Sequence, residues 1–121
     1  MKVKTAFIVD DYVPLQTAIT DYIKEIFGAS TVVYTATTLK SAEIIFDTHG
    51  GEFDLILMDT SLGGGEFTFE LTKKIAQTYK GPLVAISTDE KKRKHMVRHG
   101  CTSTCDKKDL PKYLEFLRDS R

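Results

Sequence analysis

The chain has 121 residues, 41% hydrophobic and 28% charged, and its 17 Lys plus Arg balance 17 Asp plus Glu to a formal net charge of zero. That length supports a single core without disulfide or metal staples, and the neutral balance excludes whole-domain attraction to nucleic acid or a membrane surface. No apolar stretch approaches the ~18 residues that cross a bilayer, and the short apolar opening is too brief for a signal peptide.

Short apolar runs alternate with amphipathic stretches along the chain. The first strand is predicted at Thr5–Val9. Pro14 suits the first turn of the helix that follows. Leu15, Ile19, Tyr22, Ile23 and Ile26 then recur at helical spacing, and Gly28 closes the segment as a C-cap. A second strand is predicted at Ser30–Thr35. The helix after Thr38 places Leu39, Ala42, Ile45 and Phe46 on one side and ends at Gly50-Gly51. The third strand, Phe53–Met58, precedes a helix carrying Phe69, Leu71, Ile75 and Tyr79, stopped by Gly81-Pro82. Leu83–Ile86 is the fourth strand, and the helix from Asp89 to about His99 offers only Met96 and Val97 to a core. Thr102–Cys105 is the weakest strand, almost without aliphatic side chains. The last helix begins at Asp109 as its cap and buries Leu110, Tyr113, Leu114 and Leu117.

Five strand–helix pairs predict an α/β fold: a doubly wound five-stranded parallel sheet with helices on both faces and right-handed crossovers. No composition break, repeat or low-complexity tract divides the chain, so one domain is expected over residues 1–121. Cys101 and Cys105 lack CxxC spacing, and His95 and His99 fit no ligand pattern with them. They read as partly buried thiols in a reducing compartment, and the expected location is cytoplasmic.

The chemistry lies at the strand ends. Ala6-Phe7-Ile8-Val9 runs into Asp10-Asp11, and Leu55-Ile56-Leu57-Met58 runs into Asp59. Runs without polar alternation suit strands covered on both faces. As neighbours they end about 5 Å apart, so three carboxylates converge on one crevice. At ~4 Å each like-charged pair costs on the order of 4 kcal/mol at an effective dielectric of 20, so the cluster needs a divalent cation, a shared proton or a basic partner. Ser87-Thr88 ends the fourth strand and Asp106-Lys107-Lys108 the fifth, which brings a hydroxyl and an ammonium to the same edge. Carboxylates that hold Mg²⁺, one that attacks phosphorus, and Lys and Ser that bind phosphoryl oxygens form a set for handling a phosphoryl group. Any one of these acids alone reads as a helix cap. All five positions in order carry the reading.

That order, Asp-Asp, Asp, Ser, Lys at successive strand ends, resembles the receiver domain of bacterial two-component response regulators across nearly the whole chain. The resemblance implies the flavodoxin-like strand order 2-1-3-4-5. It implies Asp59 as phosphoacceptor, Ser87 as the switch hydroxyl and Lys107 as the lysine that pairs with the phosphoryl group. Asp10, Asp11, Asp59 and the Ser61 carbonyl then hold Mg²⁺. The implied role is a signalling module, not an enzyme, that takes its phosphoryl group from a histidine kinase or histidine phosphotransfer protein and acts on a downstream protein. No direct nucleic-acid or membrane partner is expected.

Two other classes compete. A phosphatase-like hydrolase needs a second acid two residues after its nucleophile, where Ser61 stands. A constitutive, non-phosphorylated binding domain draws slight support from departures from the family pattern. The segment Gly63-Gly64-Gly65 predicts a mobile lip, and Thr68 stands where many receivers have glycine. Thr88 is larger than the usual residue, Thr104 replaces the switch aromatic, and Lys108 replaces a proline. The segment Lys91–His99 carries five formal positive charges and no acid, which predicts a loosely held helix with a solvated face, or a docking surface for an acidic partner.

Overall fold

The computed structural model describes residues 1–120. Its main sheet contains β1 (Thr5–Val9), β2 (Val32–Ala36), β3 (Leu55–Asp59), β6 (Leu83–Ile86) and β7 (Ser103–Cys105), all parallel, in the order β2-β1-β3-β6-β7. A separate antiparallel pair, β4 (Ser61–Leu62) and β5 (Glu66–Phe67), lies between β3 and the third helix. With that pair set aside, the order is the flavodoxin-like 2-1-3-4-5. The helices are α1 (Val13–Phe27), α2 (Leu39–His49), α3 (Phe69–Thr78), α4 (Glu90–Arg98) and α5 (Leu110–Asp119).

Strand periodicity sorts the core into two layers. Phe7, Val9, Ile56, Met58, Leu83 and Ala85 point to the face covered by α2, α3 and α4. Ala6, Ile8, Leu55, Leu57, Val84 and Ile86 point to the other face, against Ile19 and Ile23 of α1 and Leu110, Leu114 and Leu117 of α5. Each fully buried large aliphatic side chain contributes about 1.5–3 kcal/mol of transfer free energy. The sheet is thus fixed from both sides, and the C-terminal ends of its strands form one edge.

Local departures from the sequence pattern have clear causes. β2 begins at Val32, because Thr31 belongs to the preceding turn: its amide donates to the Gly28 carbonyl and its hydroxyl to the Val3 carbonyl. Phe53 lies outside β3, and its ring stacks on Phe7 with centroids 4.9 Å apart. Asp109 makes no cap with its side chain. Asp106 accepts the Lys108 amide instead and caps a 3₁₀ turn, Lys107–Asp109, that leads into α5. Val97 is exposed, which leaves Met96 as the buried apolar residue of α4. The glycine-rich segment is a small hairpin, with Gly64 and Gly65 at φ +81° and +79°, a region closed to most other residues.

Candidate functional site

Parallel pairing of Val9 with Met58 and of Asp59 with Ile86 sets the ends of β1, β3 and β6 side by side. Asp10, Asp11 and Asp59 therefore meet, with one carboxylate oxygen from each lying within 4.8 Å of the others. Asp10 is fully buried, Asp59 nearly so, and Asp11 is exposed. Lys107 reaches in from the turn after β7 and supplies the basic partner. Its Nζ donates to Asp59 Oδ2 at 3.1 Å and lies 3.0 Å from Asp10 Oδ2.

The electrostatics of the cluster follow from burial. Desolvation pushes the Asp59 carboxyl above its ordinary 3.8, with the Asp10 charge adding to it; the Lys107 charge and hydrogen bonds from Lys107 and the Ser61 amide oppose the rise without cancelling it. Burial alone would lower the Lys107 ammonium, but its contacts with Asp10 and Asp59 together outweigh that, so it sits above the ordinary lysine value. Among the described residues, Asp10 Oδ2 is one of two buried side-chain oxygens without a hydrogen-bond partner, the other being Thr60 Oγ1; its approach to Lys107 is ionic and oblique. An oxygen-only donor set with an open buried lone pair fits a hard divalent cation such as Mg²⁺.

Ser87 follows β6 directly and is buried, and its Oγ accepts the Asp89 amide at 3.0 Å. Ser61 lies in β4, paired with Phe67. Gly63 brings the hairpin against Asp11: a Cβ there would stand 3.4 Å from Asp11 Oδ2. Thr88 is exposed beside Ser87. Each residue predicted from the strand ends thus lies along one edge of the sheet, with Asp10, Asp11, Asp59 and Lys107 in one cluster.

Three supporting residues were not assigned from sequence. Gln16, buried at the start of α1, donates from Nε2 to the carbonyls of Asp10 at 2.6 Å and Ala36 at 2.8 Å, fixing the chain where it leaves β1. Its polar place within an apolar helical stripe was the available signal. Thr68 is fully buried, and its hydroxyl donates to the Asp59 carbonyl at 2.5 Å while touching Met96 Sδ at 3.5 Å. Its signal was the departure from glycine. Arg93 turns inward from α4 to the Ser87 carbonyl at 2.5 Å, and no spacing within the basic run distinguished it.

No family model and no curated protein matches the chain. Solved structures do match. NtrX of Brucella abortus superposes with a TM-score of 0.79 at 19% identity over 97% of this chain, which spans 26% of the NtrX chain. A response-regulator receiver domain from Bermanella marisrubri matches at a TM-score of 0.76 and 20% identity, covering 98% of both chains. The receiver domain of the Arabidopsis thaliana histidine kinase CKI1 matches at 0.72 and 17% identity, covering 98% of this chain and 92% of that domain. The chain has the fold of response-regulator receiver domains. Among the described residues, no helix is long and apolar enough to cross a membrane.

Proposed function

We propose that the chain is a single receiver domain over residues 1–121, with Asp59 the phosphoacceptor of a histidine-to-aspartate relay in the cytoplasm. The observation that carries this reading is one ammonium, Lys107, shared by two buried carboxylates at the ends of adjacent strands. In the transfer, an oxygen of Asp59 bonds to phosphorus as the donor's phosphorus–nitrogen bond breaks, and the electron pair stays on the donor imidazole. The donor is a phosphorylated histidine on a kinase or phosphotransfer protein.

Asp10, Asp11, Asp59 and the Ser61 carbonyl are the groups that would hold Mg²⁺, which when bound neutralises phosphoryl oxygens. Lys107 offsets charge on the same oxygens. Ser87 keeps its own hydroxyl proton to donate, since its Oγ already accepts from Asp89. The product places roughly −2 charge beside Asp10, and the surroundings of Ser87 and Lys107 must adjust to it. A downstream protein reads that adjustment; the domain is a switch, not an enzyme.

Treatment with acetyl phosphate tests the reading. Intact-mass measurement should show one added phosphoryl group with Mg²⁺, little without it, and none in Asp59→Asn. Labelling that persists in Asp59→Asn would place the acceptor on another residue, and absence of labelling in the parent would favour a constitutive binding domain; either result overturns the reading.

A further inference from the structure

The Arg93 side chain is only 15% exposed within a basic helix that buries Met96 alone. Its Nη1 donates to the Ser87 carbonyl at 2.5 Å and lies 3.7 Å from Asp106 Oδ2. Asp106 is itself only 18% exposed, accepts the Lys108 amide on Oδ1, and directly precedes Lys107. Ser87 is therefore held at its hydroxyl by the Asp89 amide and at its carbonyl by Arg93. On its outer side Arg93 lines a cleft of about 630 Å³ together with Thr104, Cys105, Asp106, Tyr113 and Phe116. Thr104, being small, leaves that cleft unfilled.

We propose that Arg93 is the positioning residue through which a change of charge at Asp59 reaches the cleft between α4, β7 and α5. The inference rests on the phosphoacceptor reading. Added negative charge at Asp59 draws in the Ser87 hydroxyl, a neutral donor at the end of the adjacent strand, and moves the peptide that carries the Ser87 carbonyl. Arg93 then loses its carbonyl acceptor in a partly buried place. Its remaining partner is Asp106, and a guanidinium can exchange one for the other because its donors are spread across a rigid fork. The turn onto Asp106 changes the charge and shape of the cleft floor. A point-charge ammonium on a shorter reach cannot span both acceptors.

Beryllofluoride with Mg²⁺ serves as the phosphoryl mimic, and backbone amide resonances serve as the readout. In the parent, saturation should shift the amides of Ser87 and Thr88 at the site and those of Thr104, Cys105 and Phe116 at the cleft. Arg93→Ala should keep beryllofluoride affinity within about threefold and keep the Ser87 shift, while the cleft shifts fall to less than about a third. Arg93→Lys retains the charge and guards against loss of folding; it should bind like the parent and recover no more than about half of the cleft response. Parental cleft shifts in Arg93→Ala, or in Arg93→Lys where the alanine variant does not fold, overturn the relay alone. A parent that shows no response at Ser87 removes the phosphoacceptor reading, and the relay with it.

Discussion

The two sides of the sheet edge are held in different ways. On one side, α1 packs Ile19 and Ile23 fully into the core, and Gln16 ties the end of β1 to β2, so Asp10 stands on a fixed support. On the other, α4 buries Met96 and is otherwise joined to the domain by polar and aromatic contacts. Asp89 caps it and also bonds Ser87, Arg93 bridges Ser87 to Asp106, and the sulfur of Met96 meets the hydroxyls of Thr68 and Thr72. Phe69 meets His95 edge to face and stacks with His99, and Lys92 lies over Phe67. Apolar burial is non-directional and difficult to undo in part, whereas polar links exchange partners at small net cost. The carboxylate side is built to stay, and the α4 side to shift.

Removal of Lys107 strikes the fixed side hardest. Lys107→Ala leaves Asp10 and Asp59 as uncompensated buried charges, so stability in urea should fall by about 3–5 kcal/mol without Mg²⁺. Millimolar Mg²⁺ should restore part of that loss, which an effect of packing alone would not show. An unchanged unfolding midpoint would mean that the ammonium does not hold this side together. Met96→Ala is the matching change on the α4 side, with an expected loss of about 2–5 kcal/mol. Its signature is regional: amide exchange should accelerate throughout α4 while the protection of β1 and β3 falls no further than the global loss requires.

How much of this contrast was legible in the sequence depends on how local the cause is. β1 and β6 have the predicted bounds because continuous apolar runs can satisfy a doubly covered strand and little else. Asp10, Asp11 and Asp59 were visible because each ends such a run. β2 starts two residues later than predicted because Thr31 bonds to Val3, a partner 28 positions away, and ends one residue later, at Ala36. The missing apolar stripe of α4 was legible, and Met96 is its buried apolar residue, but the polar anchoring of the helix was hidden. The Ser87 carbonyl that Arg93 finds is a backbone group, and backbone groups leave no mark in a sequence. Thr68 was visible as an odd residue, yet only the folded loop shows its hydroxyl on the Asp59 carbonyl.

Thr68 joins the two sides, and Thr68→Val is a near-isosteric way to part them. The substitution keeps the buried volume and removes a hydroxyl from the Asp59 carbonyl and from Met96 Sδ. Stability should fall by about 1–2 kcal/mol, less than for either change above. Phosphoryl uptake from acetyl phosphate should slow, because the acceptor's own peptide is no longer fixed from the loop. An unaltered uptake rate together with the stability loss would assign Thr68 to structure alone.

The smallest effect concerns Cys101, which lies just past α4 with its amide on the Met96 carbonyl at 3.1 Å. Burial pushes its thiol from an ordinary 9.0 up to about 12, so the folded chain keeps a proton that the unfolded chain releases above pH 9. The unfolded state then binds fewer protons, and stability must decline as pH rises through 9, with none of this loss below it. Cys101→Ala removes the term, so the parent should lose about 1 kcal/mol more than the variant between pH 9 and about 10. The same thiol reports on the α4 side at neutral pH, because it is buried just past the helix and bonded to it, so that its alkylation should follow local opening there. Met96→Ala should speed modification of Cys101, whereas Lys107→Ala in Mg²⁺ should leave it slower than in Met96→Ala. Equal rates in the two variants would mean that the sheet edge opens as a single unit and that the α4 side has no separate freedom to move.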